Sequence, residues 1–349
     1  MRKTMKAAVL AGPGRIEVKD VAMPEMGPGM ILIKVSACGV CGSDIHMWKE
    51  GRGWSEKPIP DFHMGHEFCG TVVDPGDSGF RVGERVVFWA NLYCGKCDMC
   101  MAGREHLCRE VHGKNYIGFV CDGAYAEYFA GPAKNAYRLP PAVSDLDAAL
   151  IDPLMVAYHA VRHSDMKLRD RALVVGSGII AQLMGGLLRK CGASLLALSK
   201  INDNQMEKAR ELGNFDLYLD GAAQGRAERY RKASEGGFDV VFEAVGSADS
   251  LGTCLEAVRP GGQIVVVGNS TTPEIPFCLN DLVLNEVRLQ GSVSCTRREF
   301  EETIGLIASG FIKPEKYVTD IIDLEGLQAA MERQVSPDSR LLKSVVSLS

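Results

Sequence analysis

The chain has 349 residues, 46% of them hydrophobic and 24% charged, with a formal net charge of -5. That length holds roughly two domains with separate cores, and the composition is that of a globular protein. The mild negative charge argues against a nucleic-acid footprint or a basic membrane-surface stripe, and no run of 18 apolar residues offers a membrane span.

Residues 1–12, MRKTMKAAVLAG, carry too short an apolar stretch for a secretory signal, and IEVKDV follows in strand-like alternation. The expected address is the cytoplasm. Up to about residue 150 short runs such as MILIKVSA, CGTVVD and ERVVFWA are broken by MPEMGPGM, DPGDSGFRVG and RLPPAV. This punctuation predicts an all-β domain with long loops, of the distorted-barrel kind. From about Ser144 the texture changes, and SDLDAALIDPLMVAYHAVRH has helical spacing with an Asp-Pro break. Strands ALVVG, SLLALS, DLYLD, FDVVFEAVG, QIVVVG and VRLQGSVS then alternate with helices. The pattern predicts a doubly wound parallel sheet covered on both faces. Helices near Arg298–Ser309 and Leu324–Arg333 precede a closing strand, KSVVSLS. This tail is expected to pack back on the first part, giving domains 1–155 with 294–349 and 156–293.

Twelve cysteines in a reducing compartment point to metal binding where they cluster, and seven fall between Cys38 and Cys108. Cys94, Cys97 and Cys100 form CxxCxxC, with Cys108 eight positions on. Four thiolates close a tetrahedral structural zinc site, which supports a loop and does no chemistry. An iron–sulfur cluster uses similar spacing, but its last Cys is commonly followed by Pro, and here Arg109 follows. Earlier, Cys41, Ser43 and His46 lie within six positions, and His63, His66 and Glu67 follow. A catalytic zinc takes three protein ligands of these types and keeps one position open. Taken alone, Cys41 and His66 read equally as a buried thiol and a core histidine.

Gly176, Gly178 and Ala181 form GxGxxA between a strand and a helix, the setting in which a helix N-terminus meets a pyrophosphate. The place of the acidic residue that holds the ribose of NAD falls on Lys200, and no carboxylate occurs until Asp203. Ser199 and Lys200 suit the 2′-phosphate of NADP, a weak lean to that cofactor. The competing account is a surface lysine and a helix cap at Asp203. Gly246 and Gly268 follow strands and belong on the cofactor-facing edge, as do Ser292 and Arg297, although simple turns also use glycine. Trp48 reads as a wall of a substrate pocket or as core.

This order of motifs, CGSDIHMW, then GHE at 65–67, then the four-Cys lobe, then GxGxxA, resembles the zinc-dependent medium-chain alcohol dehydrogenases. The sorbitol (polyol) and threonine dehydrogenase branches are the nearest. The resemblance implies a β-rich GroES-like catalytic domain, a Rossmann cofactor domain, a catalytic and a structural zinc, NAD(P) and a homo-oligomer. It makes Cys41 and His66 catalytic zinc ligands, and Glu67 an exchangeable ligand or a supporting carboxylate. Ser43 and His46 match the proton relay. The polyol branch has Glu-Pro-Leu where this chain has Asp152-Pro153-Leu154, so Asp152 is a shorter third ligand, direct or through water, or a helix cap. The implied reaction is hydride transfer between a secondary alcohol, a polyol or similar polar hydroxy compound, and NAD(P). Its rivals are a threonine or amino-alcohol dehydrogenase and a nucleotide-binding relative without activity.

Overall fold

A computed structural model describes residues 3–55, 59–110, 115–200, 203–270, 272, 274–336 and 338–348, with the side chains of 203–205 not included. The chain divides into two compact units, 1–152 with 296–349 and 153–295.

Strand Met30–Gly39 is the hub of the first unit. It pairs antiparallel with Glu67–Asp74, with Tyr128–Pro132 and with the C-terminal strand Ser344–Ser347. Asp320–Ile322 lies parallel to Ser344–Ser347 on one side, and Arg85–Phe88 and Ala136–Arg138 extend the sheet on the other. Alternate residues Ile31, Ile33 and Val35 are buried, which is what a period of two requires of a half-covered strand. They meet Phe68, Phe88 and Phe129, whose rings stack or meet edge-on with centroids 4.7–5.3 Å apart. The tail therefore does return to the β-rich part, through strand pairing as well as packing. Among the elements not foreseen in the sequence are strands Ala136–Arg138 and Asp320–Ile322 and the helix Gly42–Glu50 that carries CGSDIHMW. Asp44 stabilises its start by accepting the Cys41 N–H at 2.9 Å, and Gly51 ends it.

In the second unit six strands are all parallel. Their order is Leu217–Asp220, Leu195–Lys200, Arg171–Val175, Phe238–Glu243, Val258–Val266, Arg288–Gly291. Numbered along the unit this is 3-2-1-4-5-6, the doubly wound order with its reversal between Arg171–Val175 and Phe238–Glu243. Leu173, Val174, Val241, Phe242, Ile264 and Val265 are fully buried, as expected of strands covered on both faces. Two details differ from the pattern-based expectation. The RPGG stretch lies inside strand Val258–Val266, where the register shifts, and a short helix Leu279–Leu284 precedes the last strand. That helix leaves Leu279, Val283 and Leu284 exposed, so periodicity against a core gives it no signal.

Candidate active site

Pairing of the hub strand brings the early cluster together. Gly39 stands opposite Glu67 in the antiparallel register. Cys41 lies two residues past one strand end and His66 one residue before the other. Positions 25 apart in sequence thus meet at one sheet end. The Cys41 sulfur, a His66 ring nitrogen and a Glu67 carboxylate oxygen all lie within 4.8 Å of one another. Asp44 organises them: its Oδ2 accepts the Cys41 N–H and the Tyr125 hydroxyl at 2.7 Å, and its Oδ1 faces His66 Nδ1 at 3.5 Å. Burial alone would pull the His66 pKa down, but Asp44 and Cys41 raise it well above the ordinary imidazole value. The pocket is therefore built to hold positive charge, and its thiol, imidazole and carboxylate suit zinc.

Asp152 is the second residue of helix Ile151–His163, so it does not cap a helix starting at Pro153. Its carboxylate does not join the Cys41, His66 and Glu67 set at that spacing. It keeps some solvent exposure, yet its pKa is pushed up to about 7, by burial first, with His66 and Lys343 opposing and Glu67 and Asp44 adding. Asp152 thus shares the electrostatic field of the cluster. His63 is buried elsewhere, its Nδ1 3.2 Å from the Asp61 carbonyl. Ser43 and His46 sit three apart on helix Gly42–Glu50, hence on one face. The Ser43 hydroxyl is buried without a partner among the described residues, and His46 is exposed. Trp48 is core: 7% exposed, with its indole N–H donating to Gln328 Oε1 at 3.3 Å. The aromatic surface against the His66 ring is Phe119, centroids 4.7 Å apart, flanked by Trp54 and Tyr116.

The four cysteines also converge. Cys94 and Cys100 sulfurs are 3.9 Å apart, as are those of Cys97 and Cys108. A tetrahedron with zinc–sulfur bonds of about 2.3 Å has edges of about 3.8 Å, so the set fits. The N–H groups of Cys100 and Arg109 hold the Cys97 thiol down to about 6, favouring thiolate. Arg109 itself makes a two-pronged ion pair with Asp98 at 2.6 Å, closing the lobe on itself.

In the second unit, Gly176 follows strand Arg171–Val175 at φ +116°, a conformation open to glycine. Gly178 caps helix Ile179–Lys190 and Ala181 is buried in its first turn. A Cβ on Gly246 would strike the Asn269 carbonyl, and one on Gly268 would strike the Gly246 nitrogen. These two glycines let the loops after strands Phe238–Glu243 and Val258–Val266 touch, one strand over from the reversal of strand order. Ser199 Oγ is buried against the Tyr230 hydroxyl at 2.7 Å, and Lys200 ends its strand half-buried. The reading of Asp203 as a cap falls outside the described side chains. Ser292 has a buried hydroxyl without a partner among the described residues. Arg297 belongs to the first unit, where it bonds Tyr93.

Comparison with known proteins matches the Alcohol dehydrogenase GroES-like domain over residues 27–141 and the Zinc-binding dehydrogenase family over 180–309. The chain is 36% identical over 260 residues, 74% of each chain, to L-threonine 3-dehydrogenase of Burkholderia ambifaria. The chain belongs to the zinc-dependent medium-chain alcohol dehydrogenases. It is also 29% identical to sorbitol dehydrogenase of Bacillus subtilis over 99% of its own length and 97% of that protein. A structure titled as a zinc-binding dehydrogenase of Sinorhizobium meliloti bound to NADP superposes with a TM-score of 0.88, at 30% identity, covering 99% and 100% of the two chains. This dehydrogenase is accordingly a zinc-dependent oxidoreductase that transfers hydride between an alcohol and NAD(P). Among its described residues no helix is long and apolar enough to cross a membrane.

Sequence patterns passed over several residues of the dehydrogenase that the fold makes prominent. Tyr125, Phe119 and Lys343 reach the site only through long-range packing. Glu243, 1% exposed at the end of strand Phe238–Glu243, accepts the N–H groups of Val245 and Gly246, both at 2.9 Å. Its signal was available: an acidic residue straight after the apolar run VVF, in FDVVFEAVG. Glu243→Ala should strand both donors and lower stability by about 2–4 kcal/mol, read from the urea midpoint. An unchanged midpoint would refute that role.

Proposed function

We propose that this dehydrogenase oxidises the secondary hydroxyl of a polyol, a sugar alcohol or a similar polar hydroxy compound, using the unit 1–152 with 296–349 for the substrate and 153–295 for the dinucleotide. The observation that carries this reading is the convergence of Cys41, His66 and Glu67 within 4.8 Å beside a buried, unpartnered Ser43 hydroxyl. Cys41 and His66 would hold the catalytic zinc, with Asp152 as a direct or water-mediated third ligand and Glu67 as supporting or exchanging carboxylate. Cys94, Cys97, Cys100 and Cys108 would hold the second zinc. When bound, zinc supplies Lewis-acid polarisation of a hydroxyl and the nicotinamide accepts hydride. Asp44 orients His66 through Nδ1, as the outer partner of a ligating imidazole does. Ser43 Oγ would take the substrate proton, and His46, whose exposed ring makes no direct hydrogen bond to that hydroxyl, would deliver it to solvent through an intervening group.

The similarity to sorbitol dehydrogenase over nearly the whole chain favours a polyol. The higher identity to L-threonine 3-dehydrogenase over 260 residues supports an amino alcohol as the second reading. Initial rates with polyols, amino alcohols and simple alcohols, each with NAD and NADP, separate the two. Turnover confined to simple primary alcohols would sink both.

Cofactor choice is assigned to Lys200, with a lean to NADP. Ser199 is buried against Tyr230, and Lys200, half-buried at the end of the same strand, is the cationic residue at the place where the ribose of the cofactor is expected. Lys200→Asp should move the ratio of kcat/KM values for NADP and NAD by about tenfold to a hundredfold toward NAD. An unmoved ratio would count against this assignment.

A homo-oligomer is the expected assembly. The outer strand Arg288–Gly291 is exposed at every position, beside exposed Leu279, Val283, Leu284 and Val293. Such an edge favours pairing with a second copy. The cytoplasm is the proposed location, since all twelve cysteines are free and two clusters need reduced thiols.

A further inference from the structure

Helix Gly42–Glu50 carries Ser43 and His46, and at nine residues it is too short to hold its own place. Its first turn is fixed by Asp44, which accepts from the Cys41 N–H and the Tyr125 hydroxyl. Its last turn is fixed by a different device, centred on Gln328 in helix Leu327–Val335, 280 positions after Trp48. Gln328 Oε1 accepts the Ile16 N–H at 2.8 Å and the Trp48 indole N–H at 3.3 Å. Its Nε2 donates to the Gly14 carbonyl at 3.0 Å and to Glu332 Oε1 at 2.7 Å. Both amide hydrogens and both acceptor sites are used. Two N–H groups on one side and a carbonyl and a carboxylate on the other permit a single orientation of the amide. The Gly14 N–H closes the set by donating to the Trp48 carbonyl at 2.7 Å. The contact is tight as well: a Cβ on Gly51, where the helix ends, would strike the Pro13 nitrogen and come within 2.6 Å of the Gly12 carbonyl carbon.

Burying Trp48 does not require this arrangement, since an indole N–H is satisfied by any one acceptor. One side chain here joins three segments: the turn at Gly14–Ile16, the helix of Ser43 and His46, and the C-terminal helix. What the arrangement adds is position. His46 lies one turn along from Ser43, and the step between them passes through an intervening group. Such a step tolerates little displacement, because hydrogen bonds weaken steeply beyond about 3.2 Å. We propose that Gln328 is a positioning residue: by tying Trp48 to the Gly14–Ile16 turn, it sets the tilt of helix Gly42–Glu50 and with it the separation of the Ser43 hydroxyl from the His46 ring. Cys41, ahead of the helix, is held by Asp44 and not by Gln328, so metal binding is left alone. This inference rests on the reading of Ser43 and His46 as a proton relay.

The test uses the full zinc-loaded chain and an alcohol that the wild type oxidises. Metal content, kcat and KM are compared for the wild type, Gln328→Leu, His46→Ala, their combination, and the exchange Gln328→Glu with Glu332→Gln. Each is assayed with and without lutidine whose methyl groups flank the nitrogen, a diffusible base too crowded to ligate zinc. Gln328→Leu should keep its metal and lose kcat on the order of tenfold to a hundredfold, with KM little changed. Lutidine should restore most of that loss and leave the wild-type rate unmoved, the signature of an impaired proton exit. The exchange returns an acceptor to the Ile16 and Trp48 N–H groups and should restore kcat without added base. In the His46→Ala background Gln328→Leu should cost less than about twofold more, because residues acting through one step are not additive. Gln328→Met gives the same readout where the leucine variant does not fold. A folded Leu or Met variant with wild-type kcat would overturn the inference. So would a loss that lutidine leaves untouched, a loss carried in full into the His46→Ala background, or failure of both apolar variants to fold while the exchange folds. An unchanged kcat in His46→Ala would overturn the relay reading and this inference together. A His46→Ala loss rescued by lutidine, beside an unaffected Gln328→Leu, overturns this inference alone.

Discussion

Cys41→Ser is expected to lower bound metal from two ions per chain to one and to cut kcat/KM at least about a thousandfold. Lewis-acid polarisation of a reacting oxygen is worth several kcal/mol, and each 1.4 kcal/mol is a factor of ten. A serine hydroxyl stays protonated where a thiol gives up its proton to bind zinc, so the ligand is lost with little change in volume. The fold should survive, because Cys41 is only half-buried at the start of a short helix and anchors no core side chain. Metal analysis, activity and circular dichroism on one preparation check all three expectations. Two ions still bound with activity intact would remove Cys41 from the site. The same substitution separates an enzyme from a nucleotide-binding relative, since the latter would have no turnover to lose.

Cys100→Ser should have the opposite pattern, a large loss of stability with a modest direct effect on turnover. Residues 94–108 contain one four-residue helix, Asp98–Met101, and a single turn, Glu105–Leu107. So little regular structure cannot hold a lobe in place by packing alone, and a structural metal supplies the missing folding energy. Loss of that ion should lower the melting temperature on the order of 10 °C and open the lobe to proteases. Cleavage should appear between residues 94 and 110 before it appears elsewhere. The Arg109–Asp98 pair is half exposed and cannot substitute for the metal, since surface ion pairs contribute little. Unchanged melting and an uncut lobe after metal loss would contradict this role. Comparing the two cysteine variants also tests that the two metal sites are independent.

Much of this protein was legible in the order of its residues. The alternating strands and helices from residue 171 to 291 follow from local periodicity, and short buried strands between amphipathic helices have few other ways to pack. Clustering of Cys94, Cys97, Cys100 and Cys108 is equally local, because two-residue gaps turn successive thiols to one point. GxGxxA needed only a strand before it and a helix after it. Cys41 and His66 were visible as residue types, but their meeting depends on Gly39 standing opposite Glu67 in a long-range sheet register. Trp48 shows the limit: its neighbours in sequence leave pocket wall and core both open, and only the fold shows it 7% exposed with its indole N–H on Gln328, 280 positions away.

Sequence by itself determined the family, the cofactor-domain topology and the residue types of both clusters, because each is written in short-range spacing. Tertiary structure alone decided which charges share the buried site. Tyr125 on Asp44, Lys343 on Glu67 and Asp152 in their common field are contacts between distant segments. No periodicity encodes them. They exist because a seven-stranded sheet brings the last strand beside the hub strand Met30–Gly39, and burial there leaves each charge only its neighbours for compensation.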